Sequence, residues 1–338
     1  MKKILVTGGT GLVGAHLLYH LTKSGYNPIA TKRKKSDIET TRKIFGYYSN
    51  RSNDLFEKIN WVECDILDII ELEKIIENIT HIYHAAALIS FNNSRKNEMI
   101  EINATGTSNI IDLALKHNVI RLCYVSSIAT LGSNYNLPVN ENCIWDWSNK
   151  SGYAISKYLA EMEVWRGFAE GLNGVIVNPS LIVGPGSWDS GIGTIIKKAQ
   201  IGSPFFPPGS CGLIEVNDLV KNMMLLMSQN ISNERFIINS DHMKYKDLMS
   251  IVSKCFHKRA PSIELKPWAI KFLIAIDVFW NKIRGKPIEL STDTVKYTTQ
   301  EILLDSSKVQ KHIEYNYRNI KTSLKECVKI FIKENLGK

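Results

Sequence analysis

The chain has no CxxC pair. Its six cysteines (Cys64, Cys123, Cys143, Cys211, Cys255 and Cys327) are scattered along the sequence. That spacing excludes a zinc ribbon and argues against a secreted, disulfide-stapled scaffold. Long apolar runs are missing too. The best candidate, Trp268–Ile283, is broken by Lys271, Asp277 and Lys282, so nothing approaches the roughly 18 apolar residues of a membrane span. Met1-Lys2-Lys3 leads straight into Ile4-Leu5-Val6 and glycines, without the apolar stretch and cleavage site of a signal peptide. Internal repeats, low-complexity tracts and a recognisable nucleic-acid module are also lacking. The expectation is a soluble, cytoplasmic protein without nucleic acid as a partner.

What is present is a chain of 338 residues with 42 Lys+Arg against 33 Asp+Glu, a net charge of +9. The length suits two domains, or one large domain with an elaborated end, and can bury a core without staples. The positive surplus admits nucleic acid, an acidic membrane surface or a phosphate-bearing ligand. Trp268–Ile283 carries basic flanks (Lys266, Arg284, Lys286), so a peripheral membrane helix is one reading. A cap helix packed on the protein is the favoured one.

Short β-branched runs alternate with helical spacing through the first half. Lys3–Thr7, Pro28–Lys32, Asn60–Cys64, His81–His84 and Arg121–Val125 read as strands. Helical patterns begin at Leu12 (closed by Gly25) and span Ile69–Glu77, Glu98–His117 and Tyr153–Glu170. The alternation predicts an α/β fold, a Rossmann-type doubly wound parallel sheet, with ligands beyond the carboxyl ends of the strands. Ser36–Lys58 reads as a helix and loop over the sheet edge. After Val175–Asn178 the pattern changes: Gly184-Pro185-Gly186 and Gly202–Gly212 suggest a cap of loops and short helices. Leu219–Met227 and Phe236–Asn239 return to helix and strand. The expected division is a cofactor domain over 1–180, rejoined by 213–239. A smaller, mostly helical substrate-binding cap would take 181–212 and 240–338.

Three local patterns carry chemistry. Thr7-Gly8-Gly9-Thr10-Gly11-Leu12-Val13-Gly14 lies between the first strand and first helix. Gly8 and Gly11 allow a tight turn close to a pyrophosphate, and Gly14 allows close helix–strand packing. The helix N-terminus then faces the phosphates. After the second strand comes Ala30-Thr31-Lys32-Arg33-Lys34-Lys35, with no carboxylate before Asp37. An NAD site needs an acidic residue there for the ribose hydroxyl. A basic segment, with Arg33 as a bidentate fork, suits the 2′-phosphate of NADP(H). NADP(H) is favoured and NAD(H) is possible; a solvated basic loop is the bland alternative. Third, Tyr153 and Lys157 are four residues apart on one helical face. A cation there stabilises the phenolate and brings the tyrosine proton into working range. Ser126-Ser127 follows the strand Arg121–Val125, where a hydroxyl could hold a substrate oxygen.

In this order the motifs resemble the extended branch of the short-chain dehydrogenase/reductase superfamily. The matching stretches are TGGTGLVG, His84-Ala85-Ala86-Ala87, Asn103, Ser127, Tyr153-x-x-x-Lys157 and Asn178-Pro179-Ser180, over roughly residues 1–240. Within the NAD-dependent epimerase/dehydratase family, the dihydroflavonol reductase and 3β-hydroxysteroid dehydrogenase group is the most similar. The resemblance implies that Tyr153 is general acid or base, that Lys157 binds the nicotinamide ribose and tunes Tyr153, and that Ser127 polarises the carbonyl. It puts Gly8, Thr10, Gly11, Leu12 and Val13 at the pyrophosphate and Arg33, Asp65 and Ile66 at the adenosine. Ala85, Ala86 and Ala87 would run along the cofactor, with Pro179 and Ser180 at the nicotinamide and Asn103 supporting the site. It also implies a homodimer through Glu98–His117 and Tyr153–Glu170.

The function expected is an NADP-dependent oxidoreductase acting on a small, hydrophobic carbonyl or hydroxy compound. A nucleotide-sugar epimerase or dehydratase is the alternative. Ile128-Ala129-Thr130 lacks the Asp-Glu pair usual in dehydratases, and Leu131-Gly132 departs from the Tyr-Gly common in sugar epimerases. A non-catalytic dinucleotide sensor is a third reading, although such relatives often lose the Tyr or Lys present here. His16 and His20 are read as surface histidines, since no third ligand follows. Trp188 is a candidate pocket residue, and Trp145-Asp146-Trp147 either edges the pocket or packs between domains.

Overall fold

Side chains alternate across each short strand and helical stripes close on both sides. The computed structural model describes residues 2–90, 92–132, 138–148, 150–266, 268–270, 272 and 298–337. Its strands are β1 (Ile4–Thr7), β2 (Ile29–Lys32), β3 (Asn60–Glu63), β4 (His81–His84), β5 (Arg121–Val125), β6 (Gly174–Pro179), β7 (Leu181–Val183), β8 (Phe205–Phe206), β9 (Ser210–Glu215), β10 (Glu234–Ile238), β11 (Asp241–Lys244) and β12 (Ile263–Glu264). Seven of them form one parallel sheet in the order β3-β2-β1-β4-β5-β6-β10. The order reverses between β1 and β4. That is the switch point where an open α/β sheet offers a crevice at its carboxyl edge.

The helices are α1 (Leu12–Lys23), α2 (Glu39–Tyr48), α3 (Ser52–Phe56), α4 (Ile69–Ile76), α5 (Lys96–Ile100), α6 (Gly106–Lys116), α7 (Gly152–Ala169), α8 (Ile192–Ile201), α9 (Val216–Ser228) and α10 (Tyr245–Cys255). Ile4, Val6, Cys123, Val175 and Val177 face α1 and α9. Leu5, Ile82, Leu122, Tyr124 and Ile176 face α4, α6 and α7 on the other side. This period-two split is what the strand runs predict. The helical pattern Glu98–His117 is not one regular helix: a π turn, Glu101–Thr105, lies between α5 and α6. Such widened turns often mark functional positions, and Asn103 sits in this one.

Ser36–Lys58 contains two helices rather than a helix and loop. Phe45 of α2 and Phe56 of α3 pack with Tyr19 of α1. Gly202–Gly212, expected as loops and helix, contributes strands instead. β9 pairs with β7 and β11, and β8 with β12. Glycine and proline there punctuate short strands rather than forbid them. Around β7, β9 and β11 lie α8, α10 and the helix Ile320–Leu336, joined through Ile196, Leu213, Leu248, Val252, Leu324, Val328 and Phe331. Most of Trp268–Ile283 lies outside the described residues. No helix among those described is long and apolar enough to cross a membrane.

Candidate active site

The turn after β1 is built from contacts that exclude side chains. Gly8 has φ +71°, in the left-handed region, and a Cβ there would stand 2.6 Å from the Ala86 backbone nitrogen. A Cβ on Gly14 would meet the Gly8 carbonyl oxygen at 2.1 Å, so α1 packs on the turn with nothing between them. Gly11 donates its N–H to Gly8 O at 2.9 Å and starts α1 with no side-chain cap. The positive end of α1 is therefore left to backbone N–H groups, a ready site for a diphosphate. Thr10, Leu12 and Val13 are half-buried along the same turn. These residues fit a dinucleotide.

Thr7 ties the neighbouring loop to the turn. Its carbonyl accepts from Ala85 N at 3.2 Å and its hydroxyl from Ala86 N at 3.3 Å. Ala85–Ala87 thus runs beside Gly8. Asn103 holds the far end of that loop: its Oδ1 accepts from Leu88 N at 2.6 Å and its Nδ2 donates to Leu88 O at 3.0 Å. The same Nδ2 donates to Ser156 Oγ on α7 at 3.0 Å. One buried amide in the π turn joins the β4 loop to the helix of Tyr153 and Lys157.

At the other end of the crevice, Arg33 is exposed just past β2 and its carbonyl accepts from Ser36 N at 2.8 Å. Lys32 lies 4.0 Å from Glu63 of β3. Asp37, the first carboxylate downstream, accepts from Glu39 N (2.8 Å) and the Thr40 hydroxyl (3.3 Å) at the start of α2. Asp65 Oδ1 accepts from Leu67 N at 3.0 Å. Ile66 packs its side chain where a Cβ on Gly106 would otherwise sit, and its carbonyl accepts from Asn109.

Ser151 caps α7 by accepting from Ala154 N at 3.0 Å. One turn in, Tyr153 is half-buried and Lys157 is fully enclosed. Lys157 Nζ donates to the Tyr124 hydroxyl at 2.7 Å and to Val125 O at 2.8 Å. Burial pushes the lysine down to about 7, because removing water disfavours its charged form.

The two serines after β5 part company. Ser126 is buried and gives its hydroxyl to Glu161 at 2.5 Å. Ser127 has extended backbone and caps the short turn Ile128–Thr130, accepting from Ala129 N at 3.1 Å, so its hydroxyl proton is not consumed by that bond. Pro179 pairs with Ile238 at the end of β6, and the Ser180 N–H reaches Ile238 O at 3.2 Å.

Sequence reasoning missed Tyr124, Glu161 and Arg235. Glu161 has no exposed surface. Besides Ser126 it accepts from Thr130 (2.7 Å), Asn178 (2.9 Å) and Arg235 (3.0 Å). Asn178 also donates to Ser127 O at 3.1 Å. This buried ion pair and its hydrogen bonds lock the Ser127 loop to α7 and β6. The available signal was spacing: Glu161 lies one turn past Lys157, among the core residues Ala160, Val164 and Phe168.

A family model for the NAD dependent epimerase/dehydratase family matches residues 4–239. The chain belongs to this NAD-dependent epimerase/dehydratase family. A Synechocystis protein assigned as a dihydroflavonol 4-reductase is 27% identical over 343 residues, covering 96% of this chain and 93% of its own. Sterol demethylase protein B of Methylococcus capsulatus is 27% identical over 268 residues, 78% of this chain and 77% of its own. Among solved structures, UDP-glucose 4-epimerase of Thermotoga maritima superposes with a TM-score of 0.77 at 19% identity, covering 98% and 99% of the two chains. That likeness is one of fold. As a member of the family, the chain is an NAD(P)-dependent enzyme of the extended short-chain dehydrogenase/reductase type.

One expectation about this family member needs correction. His16 is not on the surface: α2 covers it, its Nδ1 bonds Leu12 O and its Nε2 the Tyr48 hydroxyl. Burial holds it neutral, down to about 4. Trp188, half-buried, donates to Glu334 of the helix Ile320–Leu336 at 2.7 Å and packs edge-on against Phe331. Trp145 stacks on Tyr158 of α7 at 4.2 Å, with Trp147 at its edge.

Proposed function

We propose that this enzyme is an NADP(H)-dependent reductase of a small, hydrophobic carbonyl compound, working through Ser127, Tyr153 and Lys157. The observation that carries the reading is α7 itself. It sets a buried lysine one turn from a half-buried tyrosine, and the Ser126–Glu161 and Asn178–Ser127 bonds lock the Ser127 loop against it. The relatives named as dihydroflavonol, cinnamoyl-CoA and anthocyanidin reductases support reduction of a hydrophobic substrate.

The bound dinucleotide would supply the hydride chemistry, held by the Gly8–Val13 turn, the Ala85–Ala87 loop and the α7 lysine. Tyr153 gives its phenolic proton to the substrate oxygen in reduction and takes it back in oxidation. Lys157, while charged, stabilises the phenolate left behind. Ser127 donates its hydroxyl to the same oxygen and fixes it for that transfer. Arg33 is exposed at the end of β2, and Asp37 turns both oxygens toward α2. A 2′-phosphate thus has a cationic partner there, while Asp37 is engaged with the start of α2. The outer faces of α5, α6 and α7 form the homodimer surface in this reading, which sedimentation equilibrium tests.

The test is cofactor stoichiometry across a panel of ketones and aldehydes and a panel of nucleotide sugars. Reduction oxidises one NADPH for each carbonyl reduced. Sugar conversion without net cofactor change would assign the enzyme to the epimerases instead.

A further inference from the structure

Lys157 donates to the Tyr124 side chain, and that side chain sits in a buried polar layer. Tyr124, in the middle of β5, is almost wholly enclosed, and its ring lies beside His84 with centroids 5.4 Å apart. Its hydroxyl accepts from Lys157 Nζ at 2.7 Å and lies toward the Thr107 side chain. Thr107 donates its own proton to Asn103 O at 2.5 Å. It therefore receives from the other side, from His84 Nε2 at 3.0 Å. His84 Nδ1 then accepts from the Thr7 hydroxyl at 2.6 Å, and Thr7 in turn accepts from Ala86 N. From Thr107 through His84 to Thr7 the donors and acceptors have one consistent direction with His84 neutral, and burial keeps it so, at about 3.

We propose that Tyr124 is a positioning residue for the proton-transfer site. Its hydroxyl, braced through Thr107 and His84 to Thr7 beside the glycine turn, fixes Lys157 in place and helps it keep its charge. The proposal rests on the assignment of Tyr153 and Lys157 as the proton-transfer pair.

The charges around Lys157 leave Tyr124 this role. On α7, Tyr153 precedes it by a turn. Glu161 follows by a turn and raises the lysine, but is itself paired with Arg235 of β10. On β4, His84 is neutral. On α5 and α6, Glu98 and Asp112 are exposed and paired with Arg95 and Arg166, and Glu101 of the π turn is exposed. An oxygen accepting from an ammonium favours the charged form, so losing the Tyr124 hydroxyl lets Lys157 release its proton at lower pH.

Tyr124→Phe removes that one oxygen and keeps the ring. Turnover is expected to fall about tenfold to a hundredfold, the worth of a hydrogen bond to a charged group. The KM for NADPH rises by less than turnover falls, because Lys157 remains to hold the dinucleotide and the larger loss is in proton transfer. The alkaline limb of kcat/KM, set by loss of the Lys157 proton, moves about one unit lower. Thr107→Val, which leaves the tyrosine hydroxyl but removes its brace, moves the limb the same way by less. It supplies the same test should Tyr124→Phe not fold. A Tyr124→Phe enzyme with a lower Tm but an unmoved limb and unchanged kcat would mean that the hydroxyl serves packing alone, and would overturn the proposal. Lys157→Met separates the two levels: if it retains full turnover, the underlying pair assignment falls, whatever Tyr124→Phe does.

Discussion

The two halves of the molecule are stabilised by different means. Beneath the carboxyl edge of the large sheet, Thr7, His84, Asn103, Thr107, Ser126, Lys157, Glu161 and Asn178 are all buried, a polar layer that must be satisfied bond by bond. Around β7, β9 and β11 the core is Val183, Ile192, Ile196, Leu213, Leu248, Val252, Leu324 and Phe331, held by apolar packing. The half that holds the candidate site accepts the desolvation of a lysine and a glutamate. Around β9 the apolar packing includes one buried carboxylate, Glu215 at the strand's end, which burial pushes above the usual carboxylate range. Substitutions should therefore act on activity and stability together in the first half, and on stability alone in the second.

The comparison breaks most visibly at Glu161. Glu161→Ala leaves Arg235 without its buried partner and frees the Ser126, Thr130 and Asn178 contacts. We expect a loss of about 3–5 kcal/mol in denaturant unfolding together with reduced turnover. Unchanged turnover in the folded fraction would dissociate the ion pair from the Ser127 loop. Leu324→Ala in the cap core is expected to cost about 3 kcal/mol with NADPH affinity intact; a parallel loss of cofactor binding would blur the division between the halves. Arg33→Ala should weaken NADPH about tenfold or more and NADH hardly at all. Equal losses for the two dinucleotides, measured by fluorescence titration, would remove the 2′-phosphate assignment.

A further effect concerns pH. An unfolded lysine keeps its proton to about 10.4, whereas buried Lys157 releases it at about 7. Between those values the unfolded chain holds more protons, so Lys157 makes stability rise with pH, by roughly 1 kcal/mol per unit. Lys157→Met should flatten that rise. A stability–pH curve identical to the wild type's between pH 7 and 10 would show that Lys157 is not desolvated in solution.

Much of the first half was legible because its signals are local. The strand runs Arg121–Val125 and His81–His84 and the glycines at 8, 11 and 14 depend only on neighbours a few residues away. What escaped depends on distant contacts. The π turn at Glu101–Thr105 has ordinary helical spacing and is visible only in the bonds Asn103 makes to Leu88 and Ser156. His16 sits on α1 between Ala15 and Leu17, but the polar partner that covers it, Tyr48, lies 32 residues away. The resemblance favours Ser127 over Ser126, but what occupies Ser126, Glu161 35 residues on, is not visible in the sequence. The cap strands escaped for the same reason, since β9 finds its register only against β7 and β11.

The central claim, proton transfer by Tyr153 in an NADPH-dependent reduction, is tested most directly by one variant with two readouts. In Tyr153→Phe, steady-state carbonyl reduction should fall by about 10²–10⁴-fold, the usual contribution of a positioned general acid, while the Kd for NADPH stays within a factor of about two, since the lost proton donor is not a uniform binding contact. Wild-type turnover by Tyr153→Phe, with NADPH bound as tightly as before, would contradict the account.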